Sequence, residues 1–340
     1  MHRSGRLFGA LVVCVLVAAG TARLGGQSSA NWSPPRTADG HPDLQGFWTN
    51  DSYTPLERPD EAKGKEFFTP DEARAYLKAR LDRLNAQSRS DVHYDDALWQ
   101  AENYAKQAHM RTSIVTDPPD GRIPPMTPAG QARTAARVKA RQGTGAADSA
   151  QVRTLAERCI SWGNVGPPML PPTYNANFQI MQSRDIVVLR HEMMHDVRLV
   201  NLSGSHPAKG VQILAGDARG RWEGDTLVVD TTNFTSQTNF RGAPQNARQD
   251  LFASESLHVI ERFTPVDKDT ILYQFTVDDP ATWTRSWSGE SPLRRFEGPI
   301  YEYACHEGNY GLANILRAAR VQEASGEKVE SPTVGNRFAR

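Results

Sequence analysis

The 340-residue chain carries 39 basic and 39 acidic side chains, and 39% of its residues are hydrophobic. That is enough apolar material for one large domain or two small ones. With charges cancelled and no basic block, the chain lacks the electrostatic footprint of a nucleic-acid-binding protein, and no nucleic-acid partner is expected.

Met1–Ala30 reads as an export signal. Arg3 and Arg6 supply the positive start, and LFGALVVCVLVAAG is an apolar core too short to span a bilayer stably. Cleavage after Gly20 or after Ala30 fits the small residues there. No later stretch approaches the roughly 18 apolar residues of a membrane helix, so the expectation is a periplasmic or secreted protein without an integral membrane segment. Two cysteines remain, Cys159 and Cys305. In an oxidising compartment such a pair points to a disulfide rather than a metal site. The bridge would close a loop of about 145 residues, worth ~4 kcal/mol on loop-entropy grounds.

Asn31–Pro59 is rich in Pro, Gly and Asp and should be irregular. Its Trp32, Leu44, Phe47 and Trp48 are too apolar for a free linker and predict an arm lying along the body. Thr69-Pro70-Asp71-Glu72 opens a helix: Thr69 caps, Pro70 fits the first turn, and the acids face the positive end of the dipole. Ala73, Tyr76, Leu77, Arg80, Leu81 and Leu84 give it one buried stripe. Asp91–Thr112 is ambiguous, with Tyr94, Leu98, Trp99 and Tyr104 as anchors. The proline-dense Thr116–Pro128 must be extended or turn-like. Further helices are predicted at Pro128–Arg141 and, briefly, at Ser149–Cys159, and Trp162–Thr173 (WGNVGPPMLPPT) is irregular but apolar.

From Asn177 short β-rich runs alternate with turn signals, the pattern of an antiparallel meander. The runs are FQIMQ, DIVVLRHEM, DVRLVNL, GRWEG, TLVVDTTNF, LHVIERFT, TILYQFTVDD, TWTRSWS and IYEYACH. In LHVIERF the residues Leu257, Val259, Glu261 and Phe263 share one face, but the two faces differ too little in polarity to say which is inside. Leu312, Ile315, Leu316 and Ala319 form a helical stripe within Asn309–Arg320 that should pack on the sheet. The predicted fold is mainly β with a helical N-terminal part: an antiparallel meander closed, or nearly closed, into a lipocalin-like barrel with a C-terminal packing helix. A sandwich is the alternative. The implied organisation is a signal (1–30), an arm with helices (31–148), the barrel with its closing helix (149–320) and a disordered tail (321–340).

Several phrases together resemble a family of exported soil-bacterial proteins: PRTADGHPDLQGFW (Pro35–Trp48), DPPDGRIPPMTPAG, ERCISWGNVGPPMLPP, GRWEGDTLVVDTTNF and IYEYACHEGNYGLANIL. The resemblance spans nearly the whole mature chain. It implies an exported protein with a β-rich C-terminal body and assigns no chemistry. Where that family reads N-E-M-x-H-D, this chain has His191-Glu192-Met193-Met194-His195-Asp196. Glu192, His195 and Asp196 are thereby implied to be a family feature, and His191 a local departure.

The same stretch spells His-Glu-x-x-His, which on a helix is a zinc-hydrolase signature. On a helix, His191 and His195 would lie about 6 Å apart on one face. On a strand they would be roughly 13 Å apart and could not share an ion. The β-branched flanks Ile186–Leu189 and Val197–Val200 favour a hairpin, although a helical stripe (Ile186, Leu189, Met193, Val197) can also be drawn. In a hairpin with Arg190, Glu192 and Met194 turned inward, Glu192, His195 and Asp196 become catalytic acid–base candidates; the bland alternative pairs Glu192 with Arg190 or Arg198. Arg190, Trp222, Tyr303, His306 and Glu307 are ligand-binding candidates, with the alternative that His306-Glu307 caps the last helix. No cofactor is expected, zinc on His191 and His195 being the alternative. Three functional readings follow. One is an exported barrel binding a small, partly apolar molecule inside the barrel, with acid–base chemistry at Glu192 and His195. The others are a zinc-dependent hydrolase and a non-catalytic envelope interaction protein.

Overall fold

A computed structural model describes residues 32–85, 110–140, 145, 147–162, 165–172, 174–208, 210–237, 239–241 and 250–326. The expected signal at 1–30, the anchors Tyr94–Tyr104 and the predicted tail beyond 326 lie outside these residues. The strands are β1 (Gly46–Thr49), β2 (Val115–Asp117), β3 (Asn177–Gln182), β4 (Ile186–His191), β5 (Val197–Asn201) and β6 (Asp217–Glu223), followed by β7 (Thr226–Thr232), β8 (Asn239–Arg241), β9 (Asp250–Phe252), β10 (His258–Asp267), β11 (Thr270–Asp278) and β12 (Trp287–Arg295). The helices are α1 (Pro70–Asn85), α2 (Pro128–Ala140) and α3 (Tyr310–Ser325). Nine strands close into a barrel in the order β1-β3-β4-β5-β6-β7-β10-β11-β12, because β1 pairs with β3 on one side and β12 on the other. β2 adds to β12, and β8 and β9 form a separate ribbon.

Two features depart from a simple meander. The closing strand β1 comes from the proline-rich arm, so the arm belongs to the barrel and does not merely lie along it. β5 and β6 run parallel and pair at two positions only, Val200 with Ala218 and Asn201 with Arg219. The crossover between them is pinned by His206, whose ring nitrogens meet Asp217 at 2.7 Å and Asp230 at 3.2 Å.

The pairings fix the interior. Trp48 stands opposite Phe178 at the start of a circuit and opposite Arg295 at its end, twelve residues further along the register. Nine strands with that shear tilt by about 40° around a barrel of roughly 9 Å radius. One third of the circuit is therefore three strands and four residues, and inward side chains related in this way share a height. Three apolar layers follow one another: Ile180–Gly220–Ile271, Trp48–Val200–Phe263 and Leu189–Val229–Leu293. The next layers, Phe178–Ala218–Tyr273, Asn50–Arg198–Glu261 and His191–Thr231–Ser291, turn progressively polar. Apart from half-buried Gly220, every one of these side chains is buried. The polar end, where β4 gives way to β5, is called the lower end below.

The irregular Val165–Pro172 enters the lower end. Its residues other than Gly166 are buried, Met169 and Leu170 join the core, and the Met169 amide donates to the Tyr273 hydroxyl inside the barrel (2.8 Å). Asn50 Nδ2 donates to the Leu170 carbonyl at 3.3 Å.

At α1, Thr69 and Glu72 cap reciprocally, Glu72 N to Thr69 Oγ1 and Thr69 N to Glu72 Oε2. Ser149–Cys159 is not a helix: only a single 3-10 turn forms at Ala150–Val152, and turns follow. IYEYACH is not a strand. The barrel is already closed by β1, and Tyr301 stays 68% exposed beside the disulfide segment. β12 starts at Trp287 and runs on through Pro292, so TWTRSWS contributes only its end. α3 is capped by Asn309, which accepts from the Leu312 amide, and not by His306-Glu307. It continues to Ser325, so residues 321–325 are helix rather than tail. Leu312, Leu316 and Ala319 are half-buried along it, and its polar ties run to 147–159.

Candidate functional site at the lower barrel end

HEMMHD is a hairpin bend. β4 ends at His191, Met193–His195 form a 3-10 turn, and β5 begins at Val197, with the His191 amide bonded to the Asp196 carbonyl at 2.8 Å. Met194 (φ 61°) and His195 (φ 43°) both take left-handed backbone, which non-glycine residues adopt reluctantly. The parity is opposite to the inward Arg190–Glu192–Met194 expectation: Val187, Leu189 and His191 face the lumen. β-branched and apolar residues on both faces of IVVL hid this, and partners outside the hairpin decide it. His191 stacks on Phe178 with ring centroids 5.4 Å apart, and its Nε2 has no hydrogen-bond partner among the described residues. Burial, followed by the nearby Arg198 charge, holds this imidazole down at about 3, so it stays neutral.

The buried Glu192 pairs with neither Arg190 nor Arg198. Asn175 and Asn177 donate to its two carboxylate oxygens. Arg198 instead crosses the lumen to Glu261 in a two-bonded ion pair, with Tyr273 donating to Glu261 Oε1 at 2.8 Å. Burial alone would lower the Arg198 pKa, but the Glu261 charge more than offsets it and the guanidinium stays charged. The Tyr273 hydroxyl is pushed well above its usual range by burial and by Glu261, so it remains a donor.

Outside the lumen the bend rests on a second apolar cluster, Cys159, Val165, Met193 and Met194, with Trp162, Tyr303 and Cys305 packed against it. Cys159 and Cys305 form a disulfide. Beside it opens a groove of about 790 Å³ whose walls include Glu157, Trp162, Glu302, Tyr303 and Asn309. His195 Nδ1 lies 3.0 Å from the Tyr303 carbonyl, and the His306 ring is 6.4 Å from that of His195. A carbonyl only accepts, so Nδ1 carries the proton and, in the neutral ring, Nε2 holds the lone pair. Burial raises the Asp196 carboxyl, against the opposing pull of the Val197 amide and the Arg198 and His195 charges. Burial also pushes the Glu157 carboxyl up, but the Thr154 amide and hydroxyl and Arg153 outweigh it and hold Glu157 below its usual range.

The structure thus brings His195, Tyr303 and His306 together, with Glu192 and Asp196 in the same bend. Glu307 is exposed in the turn before α3. Arg190 is half-buried on the outer face of β4. Trp222 stacks on His41 at the other end, with ring centroids 5.0 Å apart. Asn201 is level with Arg219, so Trp222 lies roughly 30 Å of strand length from His195. His191 and His195 occupy different surroundings, one in the lumen and one exposed. Among the described residues no three His, Cys, Asp or Glu side chains are grouped to hold an ion. Sequence reasoning missed Asn175, Asn177, Glu261, Tyr273 and Trp162 as parts of this end. For Glu261 a signal existed: a carboxylate on the buried parity of a strand needs a cation. No family model, curated protein or solved structure matches the chain.

Proposed function

We propose that this is an exported barrel protein that binds a small, partly apolar molecule in the groove beside the disulfide. The observation that carries this reading is the meeting of His195 and Tyr303, 108 residues apart in the chain, with His306 beside a groove walled by Trp162. Aromatic walls with a few fixed polar groups suit such a ligand. The disulfide supports export, since such bridges persist in oxidising compartments. Among the described residues no helix is long and apolar enough to cross a membrane. A screen of small aromatic and aliphatic molecules by thermal unfolding tests the binding. At least one should raise the melting temperature of the wild type, and Trp162→Ala or Tyr303→Ala should abolish that shift while keeping the fold. If every ligand acts equally on wild type and variants, the groove is not the site.

A specific observation also favours proton transfer. His195 has a fixed tautomer with its basic nitrogen free, the condition for a general base. His195→Gln should then leave ligand binding intact and remove turnover. Glu192, held by two amides, serves to position the bend.

A further inference from the structure

The lower lumen holds more polar atoms than its occupant satisfies. His191 Nε2, Thr231 Oγ1 and Ser291 Oγ are each buried and without a hydrogen-bond partner among the described residues. Their carriers form one layer: from His191 on β4, three strands and four residues lead to Thr231 on β7, and the same step leads to Ser291 on β12. Buried polar atoms are nearly always paired, and three orphans at one height are a marked concentration. The layer above is polar too, with Arg198 bridging to Glu261 and Tyr273 as a floor across the lumen. Val165–Pro172 fills the space beneath that floor. Its Met169 and Leu170 side chains are apolar and offer the orphans no hydrogen bond, while its backbone meets the barrel wall through the Met169 amide, which donates to Tyr273, and the Leu170 carbonyl, which accepts from Asn50. Left-handed backbone at Cys159 (φ 55°) and Asn175 (φ 52°) brackets the segment.

We infer that the lower lumen is a second binding site, for a neutral molecule with an apolar chain and a head that both donates and accepts hydrogen bonds, such as an alcohol or a primary amide, and that Val165–Pro172 is a plug this ligand displaces. The head must donate because the Tyr273 oxygen accepts from Met169 N while its proton goes to Glu261. It must accept because Asn50 Nδ2 would otherwise lose its partner. The ligand is neutral because Arg198 and Glu261 already cancel and His191 is uncharged. This site goes beyond the groove and stands without it.

The test uses the full oxidised chain and 1-decanol, with 1-methoxydecane as the ether that accepts but cannot donate. Decanol should raise the melting temperature in a saturable way. It should also speed amide exchange at Met169 as the plug leaves. The methoxy analogue should bind at least tenfold more weakly. Thr231→Val with Ser291→Ala should keep the fold and weaken decanol at least tenfold, whereas Trp162→Ala should leave decanol binding unchanged. The inference falls if decanol does not bind. It falls equally if the double variant binds as the wild type does, or if Met169 becomes more protected on binding. Loss of decanol binding in Trp162→Ala alone would assign the molecule to the groove and remove it from the lumen.

Discussion

The two halves of the barrel solve the same packing problem differently. Above the Phe178 layer the lumen is closed by apolar triads such as Trp48–Val200–Phe263 and Leu189–Val229–Leu293, all buried. Below it the same lattice carries Asn50–Arg198–Glu261 and His191–Thr231–Ser291, and a borrowed segment fills the gap. The upper half gains stability from every layer. The lower half holds an ion pair and three orphaned atoms against a desolvation cost, and its geometry depends on the disulfide and on Asn175–Glu192 next to it. Apolar packing closes one half, and charged and hydrogen-bonding side chains occupy the other.

That contrast can be broken most sharply with acid. The His191 pKa is depressed to about 3 in the fold, against about 6.5 when unfolded. Below 6.5 the unfolded chain binds the proton first, so stability present above pH 6.5 is lost as pH falls toward 3, with a ceiling of about 4–5 kcal/mol. Urea unfolding across that range should show the loss, and His191→Phe, which keeps the stack on Phe178, should flatten this part of the curve. Next in size is the floor: Arg198→Met alone should cost about 3–5 kcal/mol in denaturant unfolding, because it strands Glu261, and Arg198→Met with Glu261→Leu should recover most of it. Removing the disulfide with Cys159→Ser and Cys305→Ser should cost about 2–4 kcal/mol. Proteolysis of that variant should begin at the plug and the C-terminal segment rather than in the upper strands. Smallest is Thr231→Val, which discards an orphaned hydroxyl and should be neutral or stabilising by up to about 1 kcal/mol. The matching change in the upper half, Val229→Thr, should destabilise by about 1–3 kcal/mol.

What could be read from the sequence follows the same division. LHVIERF and TILYQFTV read as strands from their β-branched and aromatic content, although LHVIERF does not show which face is inward, and the hairpin at HEMMH is legible from its β-branched arms. SGESPLRR did not announce β12. Its inward positions Gly289 and Ser291 are small because the Phe275 and Tyr273 rings lie opposite, and a Cβ on Gly289 would come within 2.5 Å of the Phe275 ring. Smallness imposed by a neighbour across the sheet leaves no local pattern. β1 is four residues within a proline-rich arm and becomes a strand only because β3 and β12 leave a gap of its width. Arg198 and Glu261 lie 63 residues apart, and neither strand names its partner. The groove was half legible: His195, Tyr303 and His306 were candidates, but Trp162 looked like any aromatic in a loop.

The seam between β5 and β6 has a mechanical consequence. Every other junction between successive barrel strands from β3 to β12 is a ladder of five or more opposed residues, whereas this one has two, reinforced by Arg219 reaching the Ser203 carbonyl at 3.2 Å. The β12–β1 closure also has only two opposed residues, so the cylinder has two thin welds, and along the run from β3 to β12 it yields first at this one. Loaded across its strands, this one should uncurl as a continuous ribbon, its ladders intact on either side. The same weld keeps all the layers in step: slip it by one residue, and every triad beyond it goes out of phase at once.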